Sequence, residues 1–271
     1  MRLLLDPSRK CRTSGGLCLA ATVAVCVLAD ALLVSTQGTP PRPTELLERA
    51  RAAYERRSEP GVAAQAVDWF EQAIKAGAGY EALWEGARAA DDLGESRLPA
   101  SATDTDRLRC FEKGIAWARA AIVLEPTRPE GHLFYVVSLG NKVDRERFWQ
   151  QMTAAAEIHR EAELAVKYGP ETECGLPMTV LGLYLMRAPG AFGGDQGRGL
   201  ALLDRAVKVC PDDVQNHLDL AEGLQIAGQR ARAVAELEWI LAHEPTAPAD
   251  KADYVRQRAE AEKRLAASRQ R

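Results

Sequence analysis

An all-helical solenoid, built from irregular antiparallel helical hairpins and closed by a C-terminal capping helix, is what this sequence predicts, and three observations predict it. Pro211 and Pro245, each closing a helical stretch, stand 34 residues apart, a spacing typical of a repeated helix–turn–helix unit. Between them, small residues fall where two helices must approach (Ala221, Gly228, Ala233), and Leu237 and Ile240 follow at helical spacing. The 271 residues are 46% hydrophobic but only 6% aromatic, with abundant Ala, Leu, Glu and Arg, a composition that favours helix over sheet.

The chain opens with a different kind of segment. Arg2, Arg9, Lys10 and Arg12 precede an apolar run from Leu17 to Ala29, broken only by Thr22, which has the pattern of an export signal and is short for a spanning helix. Ala29-Asp30-Ala31 offers a cleavage site; read on to Val34, the same run would serve as an uncleaved anchor. Residues 1–37 are therefore expected to be a signal peptide or an N-terminal membrane anchor, the only part of the chain to meet a membrane. Cys26 follows the bulky Val25 and is poorly placed for lipid attachment. Residues 38–43 read as a Pro-rich linker and 44–271 as the repeat domain, clearest over 170–211 and 212–245.

Within the domain, Thr44 is an expected N-cap for a first helix carrying Leu46, Leu47, Ala50 and Tyr54 on one stripe, broken by Pro60-Gly61. The second helix, 63–76, presents Ala66, Phe70 and Ala73. A helix over 80–93 with Leu83, Trp84 and Ala87 follows, then a loop over 94–103 and a helix over 106–124 with Phe111, Ile115, Ala118 and Ala121. Residues 129–139 predict a short helix and 143–168 a long one, with Ala155, Ile158, Ala162 and Ala165 on one face. Successive closing prolines, Pro126, Pro170, Pro211 and Pro245, lie 44, 41 and 34 residues apart, so the earlier units read as the same hairpin with insertions in its turns. Residues 249–268 predict the cap, with Tyr254, Ala259, Ala261 and Leu265 toward the last hairpin and a polar outer face.

The chemistry the sequence offers is recognition and not reaction. A formal charge of -3 leaves no basic footprint for nucleic acid. The stretch Ala188-Pro189-Gly190-Ala191-Phe192-Gly193-Gly194-Asp195 lacks the Gly-Lys-Ser/Thr ending of a phosphate loop and reads as a wide turn whose Asp195 caps the next helix, with Arg187 and Phe192 edging a pocket. No serine sits in a nucleophile elbow, no carboxylate pair stands isolated among apolar residues, and the dispersed histidines make no metal set, so neither catalysis nor a cofactor is expected. His132 and His217 occupy matching places near the starts of first helices, the side that lines the groove of a repeat array, where they serve either as ligand contacts or in a structural role; with Tyr135 and Tyr184 they complete the candidate contacts for a ligand or partner. Trp69, Trp84, Trp117, Trp149 and Trp239 fall within helical apolar stripes and read as core. Cys174, at one helix start, and Cys210, at the end of its antiparallel partner, are near enough either to pair or to remain two small thiols.

The unit ending at Pro245 closely resembles a tetratricopeptide repeat. More specifically, Lys167-Tyr168-Gly169-Pro170, Leu181-Gly182-Leu183-Tyr184, Arg187-Ala188-Pro189 and Gly193-Gly194-Asp195, followed by the stretch from Ala206 to Pro211 and an Ala/Arg-rich terminal helix, resemble the TatT family, the periplasmic T-components of TRAP transporters, over roughly 145–265. That resemblance implies an exported, periplasmic, all-helical homotrimer that partners a TRAP solute-binding protein. Without it, the same repeats imply an adaptor holding a peptide or protein segment in its concave groove.

Overall fold

The computed structural model describes residues 41–145, 148–245 and 248–269; the leader expected over 1–37 and the first half of the linker, 38–40, lie outside the described residues. The described elements are helical throughout: α1 (Pro43–Glu55), α2 (Val62–Lys75), α3 (Gly79–Asp92), α4 (Asp104–Leu124), α5 (Pro129–Val143), α6 (Phe148–Tyr168), α7 (Thr172–Arg187), α8 (Gln196–Val209), α9 (Val214–Ile226), α10 (Arg230–Ala242) and α11 (Pro248–Arg269). They pair as α1/α2, α3/α4, α5/α6, α7/α8 and α9/α10, and first helices stack in a row, α3 on α5, α5 on α7, α7 on α9 and α9 on α11. The solenoid with its capping helix is therefore the architecture of the described residues.

Alanines let these helices close up. Ala50, Ala66, Ala73, Ala87, Ala118, Ala121, Ala206, Ala221, Ala233 and Ala261 are all fully buried, each at a position where a larger side chain would hold two axes apart. Between them sit the large residues, Phe70, Phe111, Leu203, Leu237 and Ile240, each contributing about 1.5–3 kcal/mol through burial. The core is a succession of local clusters: Phe70 with Leu46 and Leu47, Phe134 with Trp84, Leu181 with Val136, Leu203 with Leu224, and Leu237 with Tyr254. A stacked array needs no single centre. Between α7 and α8 the backbones approach closely, since a β-carbon on Gly199 would lie 2.8 Å from the Gly182 carbonyl oxygen.

Element boundaries differ from expectation for local reasons. Pro43 occupies the first turn of α1, and the Glu45 carboxylate reaches back to the Arg42 amide at 3.2 Å, so the cap is Arg42 and not Thr44. Thr103 caps α4 in a reciprocal box with Asp106, which starts that helix at Asp104. α5 runs on past Gly140 to Val143, held by burial of Val143 and by Asn141, whose amide donates to Asp91 at 3.1 Å; α6 begins only at Phe148. The expected loop after α3 begins with a π-helical turn, Leu93–Arg97, and Arg97 makes a two-pronged ion pair at 2.6 and 2.7 Å with Asp253 of α11. On α11, Tyr254, Ala261 and Leu265 are buried as expected, but Ala259 is exposed. Trp84 is buried and Trp69, Trp117 and Trp239 half-buried against the core; the Trp149 side chain lies outside the described ones.

Candidate functional site

Three of the six residues singled out for contact converge. Tyr184, Arg187 and Phe192 line a cavity of about 660 Å³ between α5, α6 and α7, whose walls are chiefly aliphatic: Val137 from α5, Ile158 from α6, Val180 and Leu183 from α7. Its polar members are Asn141, Asp144 and Arg187. The convergence follows from helical spacing, since Val180, Leu183, Tyr184 and Arg187 fall on one face of α7 at intervals of three and four.

Tyr184 locks the turn beside this cavity. Its hydroxyl lies 2.7 Å from the Phe192 carbonyl oxygen and 3.1 Å from that of Ala155, donating to the pair, and burial pushes its pKa up. Its ring stacks on His159 with centroids 5.0 Å apart, and His159 in turn meets Glu163 at 3.2 Å. The wide turn of residues 188–195 is shaped to this stack. Gly193 has φ of 86° and sits so close to the imidazole that a β-carbon would come within 2.5 Å of His159. Asp195 accepts from the Arg198 amide and starts α8. Phe192 thereby also borders a second cavity, outside α6, with His159, Arg160 and Lys167. Arg187 pairs with Glu222 of α9, which also holds Arg264 of α11 at 3.1 Å.

The other three candidates stand elsewhere, inside the hairpins. His132 is 3% exposed; its Nε2 donates to the Pro126 carbonyl at 2.9 Å and its Nδ1 meets Glu161 of α6 at 2.5 Å. His217 repeats the arrangement, Nε2 to the Pro211 carbonyl at 2.9 Å and Nδ1 to Glu236 of α10 at 2.6 Å, with Trp239 stacked on the ring at 3.6 Å. Each histidine is the fourth residue of its helix, placed to clip the proline that closes the preceding hairpin to the second helix of its own. Each imidazole thus has an acceptor on both sides, a backbone carbonyl at Nε2 and a carboxylate at Nδ1. Burial pulls the His217 pKa down, but Glu236 and the Pro211 carbonyl more than offset that and set it above the ordinary value. Tyr135 is also buried, accepting from Arg119 at 2.6 Å and donating to Glu157 at 2.7 Å. The expected groove contacts at His132, Tyr135 and His217 are thus internal clips, because buried polar groups with satisfied partners have nothing left to offer a ligand. The glutamates were the signal that sequence reading left unused.

Cys174 and Cys210 form a disulfide, Cα atoms 5.4 Å apart. Among the described residues no group of His, Cys, Asp and Glu is arranged to hold a metal ion, and no helix is long and apolar enough to cross a membrane.

Comparison with known proteins gives three findings. The family model of regulator of microtubule dynamics protein 1-3 matches residues 46–184, just over half of the chain and every cavity-lining helix as far as Tyr184. A thermophilic TPR protein of Thermus thermophilus has a similar structure, with a TM-score of 0.58 at 18% identity over 81% of this chain and 98% of that one, which establishes a shared tetratricopeptide-like fold. No curated protein matches the sequence.

Proposed function

The chain belongs to the family of regulator of microtubule dynamics proteins 1–3, and from that premise we propose that it is a non-enzymatic binding protein which receives an apolar segment of a protein partner in the cavity between α5, α6 and α7. The observation that carries this reading is the convergence of Tyr184, Arg187 and Phe192 on one aliphatic space of about 660 Å³, large enough for two or three apolar side chains. The family's name speaks of regulating microtubule dynamics, which makes a protein the occupant to test before a small molecule.

Incorporating a photo-cross-linking amino acid at Leu183, and separately at the exposed Ala201 on α8, tests it in the native host. The expected result is a discrete protein adduct at the first position that the second does not give. Identical adducts from both positions would remove the cavity from the account.

A second reading is favoured by the Cys174–Cys210 disulfide, because such bonds persist in oxidising compartments. It makes the protein an exported, periplasmic, TatT-like accessory, assembling as a homotrimer with a TRAP solute-binding protein, reached through the leader expected in residues 1–37. Light scattering behind size exclusion separates the two: a trimer supports the transport accessory, and a monomer supports the adaptor.

A further inference from the structure

At the start of α7 three consecutive residues have left-handed backbone, Glu173 with φ of 46°, Cys174 with 57° and Gly175 with 82°. Two of the three carry β-carbons, for which this region is sparsely populated, and such a run persists only where its surroundings over-determine it. Three contacts do so. The disulfide ties Cys174 to Cys210, the residue that ends α8. Asn216 of α9 donates its side-chain amide to the Cys174 carbonyl at 3.0 Å. Glu173 accepts from Arg88 of α3 at 2.8 Å, a bridge between residues 85 positions apart.

Arg88 shows what that bridge is for. Its guanidinium lies over the rings of Tyr54 and Trp84, 4.7 and 5.2 Å from their centroids, and its Nε is buried without a hydrogen-bond partner. Glu173 is thus the acceptor that the left-handed turn delivers to a largely buried cation. Cys174 itself is exposed, so a thiol can reach it.

We propose that the Cys174–Cys210 disulfide is a redox latch, which holds the left-handed segment 173–175 and with it the Arg88–Glu173 bridge between α3 and α7, and whose reduction releases both. A dithiol reductant supplies the two electrons. One of its thiolates attacks the Cys174 sulfur, the Sγ–Sγ bond breaks, and Cys210 leaves as a thiolate that takes up a proton. The second thiol of the reductant then attacks the mixed disulfide, Cys174 leaves and is protonated, and the reductant departs as its own disulfide. Once free, the turn relaxes toward ordinary backbone, swinging Glu173 away from Arg88. This latch is independent of what occupies the cavity of α5, α6 and α7.

Hydrogen–deuterium exchange on the full chain, with and without dithiothreitol, tests it, alongside a thiol titration to establish that two new thiols have appeared. Reduction is expected to speed exchange of the amides over 172–178 by about tenfold or more while α1, α2 and α10 keep their rates. The double variant Cys174→Ser/Cys210→Ser should match the reduced chain and ignore the reductant. Arg88→Gln, with the disulfide intact, should keep the slow exchange over 172–178. Unchanged exchange after reduction would overturn the latch. So would a disulfide that no dithiol reduces without denaturant, or a loss of protection spread over every helix, which would make the bond a global staple.

Discussion

Asp91 is a carboxylate in the wrong place for stability, and replacing it with asparagine should make the protein more stable, increasingly so as the pH rises. It is 7% exposed on α3, and its partner is an amide, Asn141, at 3.1 Å from both oxygens. Burial is the largest influence on it and the nearby Asp92 and Glu95 add to it, together raising its pKa from 3.8 to about 7 despite the hydrogen bonds. Its folded pKa lies above its unfolded one, so the folded chain binds this proton more tightly. Its stabilising contribution is full below about pH 4 and is lost as the pH climbs to about 7. At about 1.4 kcal/mol per pH unit, the gap sets a ceiling of ~4 kcal/mol on what the ionised group costs above pH 8. Asparagine keeps an oxygen for the Asn141 amide and carries no charge. Urea unfolding of Asp91→Asn at pH 8.5 should therefore show a gain of about 2–4 kcal/mol, or a midpoint shift of ~1 M or more, with at most about half of that at pH 5. An equal gain at both pH values, or a loss at pH 8.5, would refute the reasoning, because neither follows from an uncompensated buried charge.

Two other perturbations address the clips and the packing. Glu236→Gln removes the carboxylate that helps keep His217 charged; because the His217 pKa is raised on folding, the advantage of the native chain is full below about pH 6.5 and fades as the pH rises through the higher folded value. Unfolding titrations should show a deficit of about 1–3 kcal/mol at pH 6 that shrinks by pH 9, and a deficit independent of pH would show that the clip is not an imidazolium. Gly199→Ala should lower stability by about 1–3 kcal/mol in thermal melts even though alanine is the better helix former, since its β-carbon meets a backbone oxygen across the α7–α8 contact; a rise in melting temperature would mean the two helices separate easily.

The repeat unit was legible because its determinants are local. The alanines that vanish from the surface, the glycine and proline punctuation and the 34-residue spacing all act within one hairpin and its neighbour. That Tyr184, Arg187 and Phe192 border one space has an equally local cause, the first two sharing a face of α7 and the third lying in the turn that follows. His132 and His217 were legible as equivalent positions, but the choice between groove contact and structural role stayed open in the sequence, because their acceptors come from other helices, 29 and 19 residues on. The sequence places a histidine near a helix start; only the packing shows that a glutamate waits behind it. Asp91 could have been suspected from a charge within the small-residue stripe of α3, whereas the Arg97–Asp253 pair spans 156 residues and leaves no local trace. The left-handed turn at Glu173 and Cys174 was equally hidden, since only Gly175 signals it in composition.

Whether the space between α5, α6 and α7 is where a partner binds is most directly decided by the dissociation constant of the partner cross-linked at Leu183, measured for the native chain, for Leu183→Glu and for Ala201→Glu, each with a melting curve to confirm that it is folded. A glutamate set among the aliphatic walls forfeits the burial of an apolar side chain and adds a charge to be desolvated, so the first variant should bind about 100-fold more weakly while the second stays within about twofold of the native chain. Equal affinities for all three folded chains would contradict the account and move the binding surface away from this cavity.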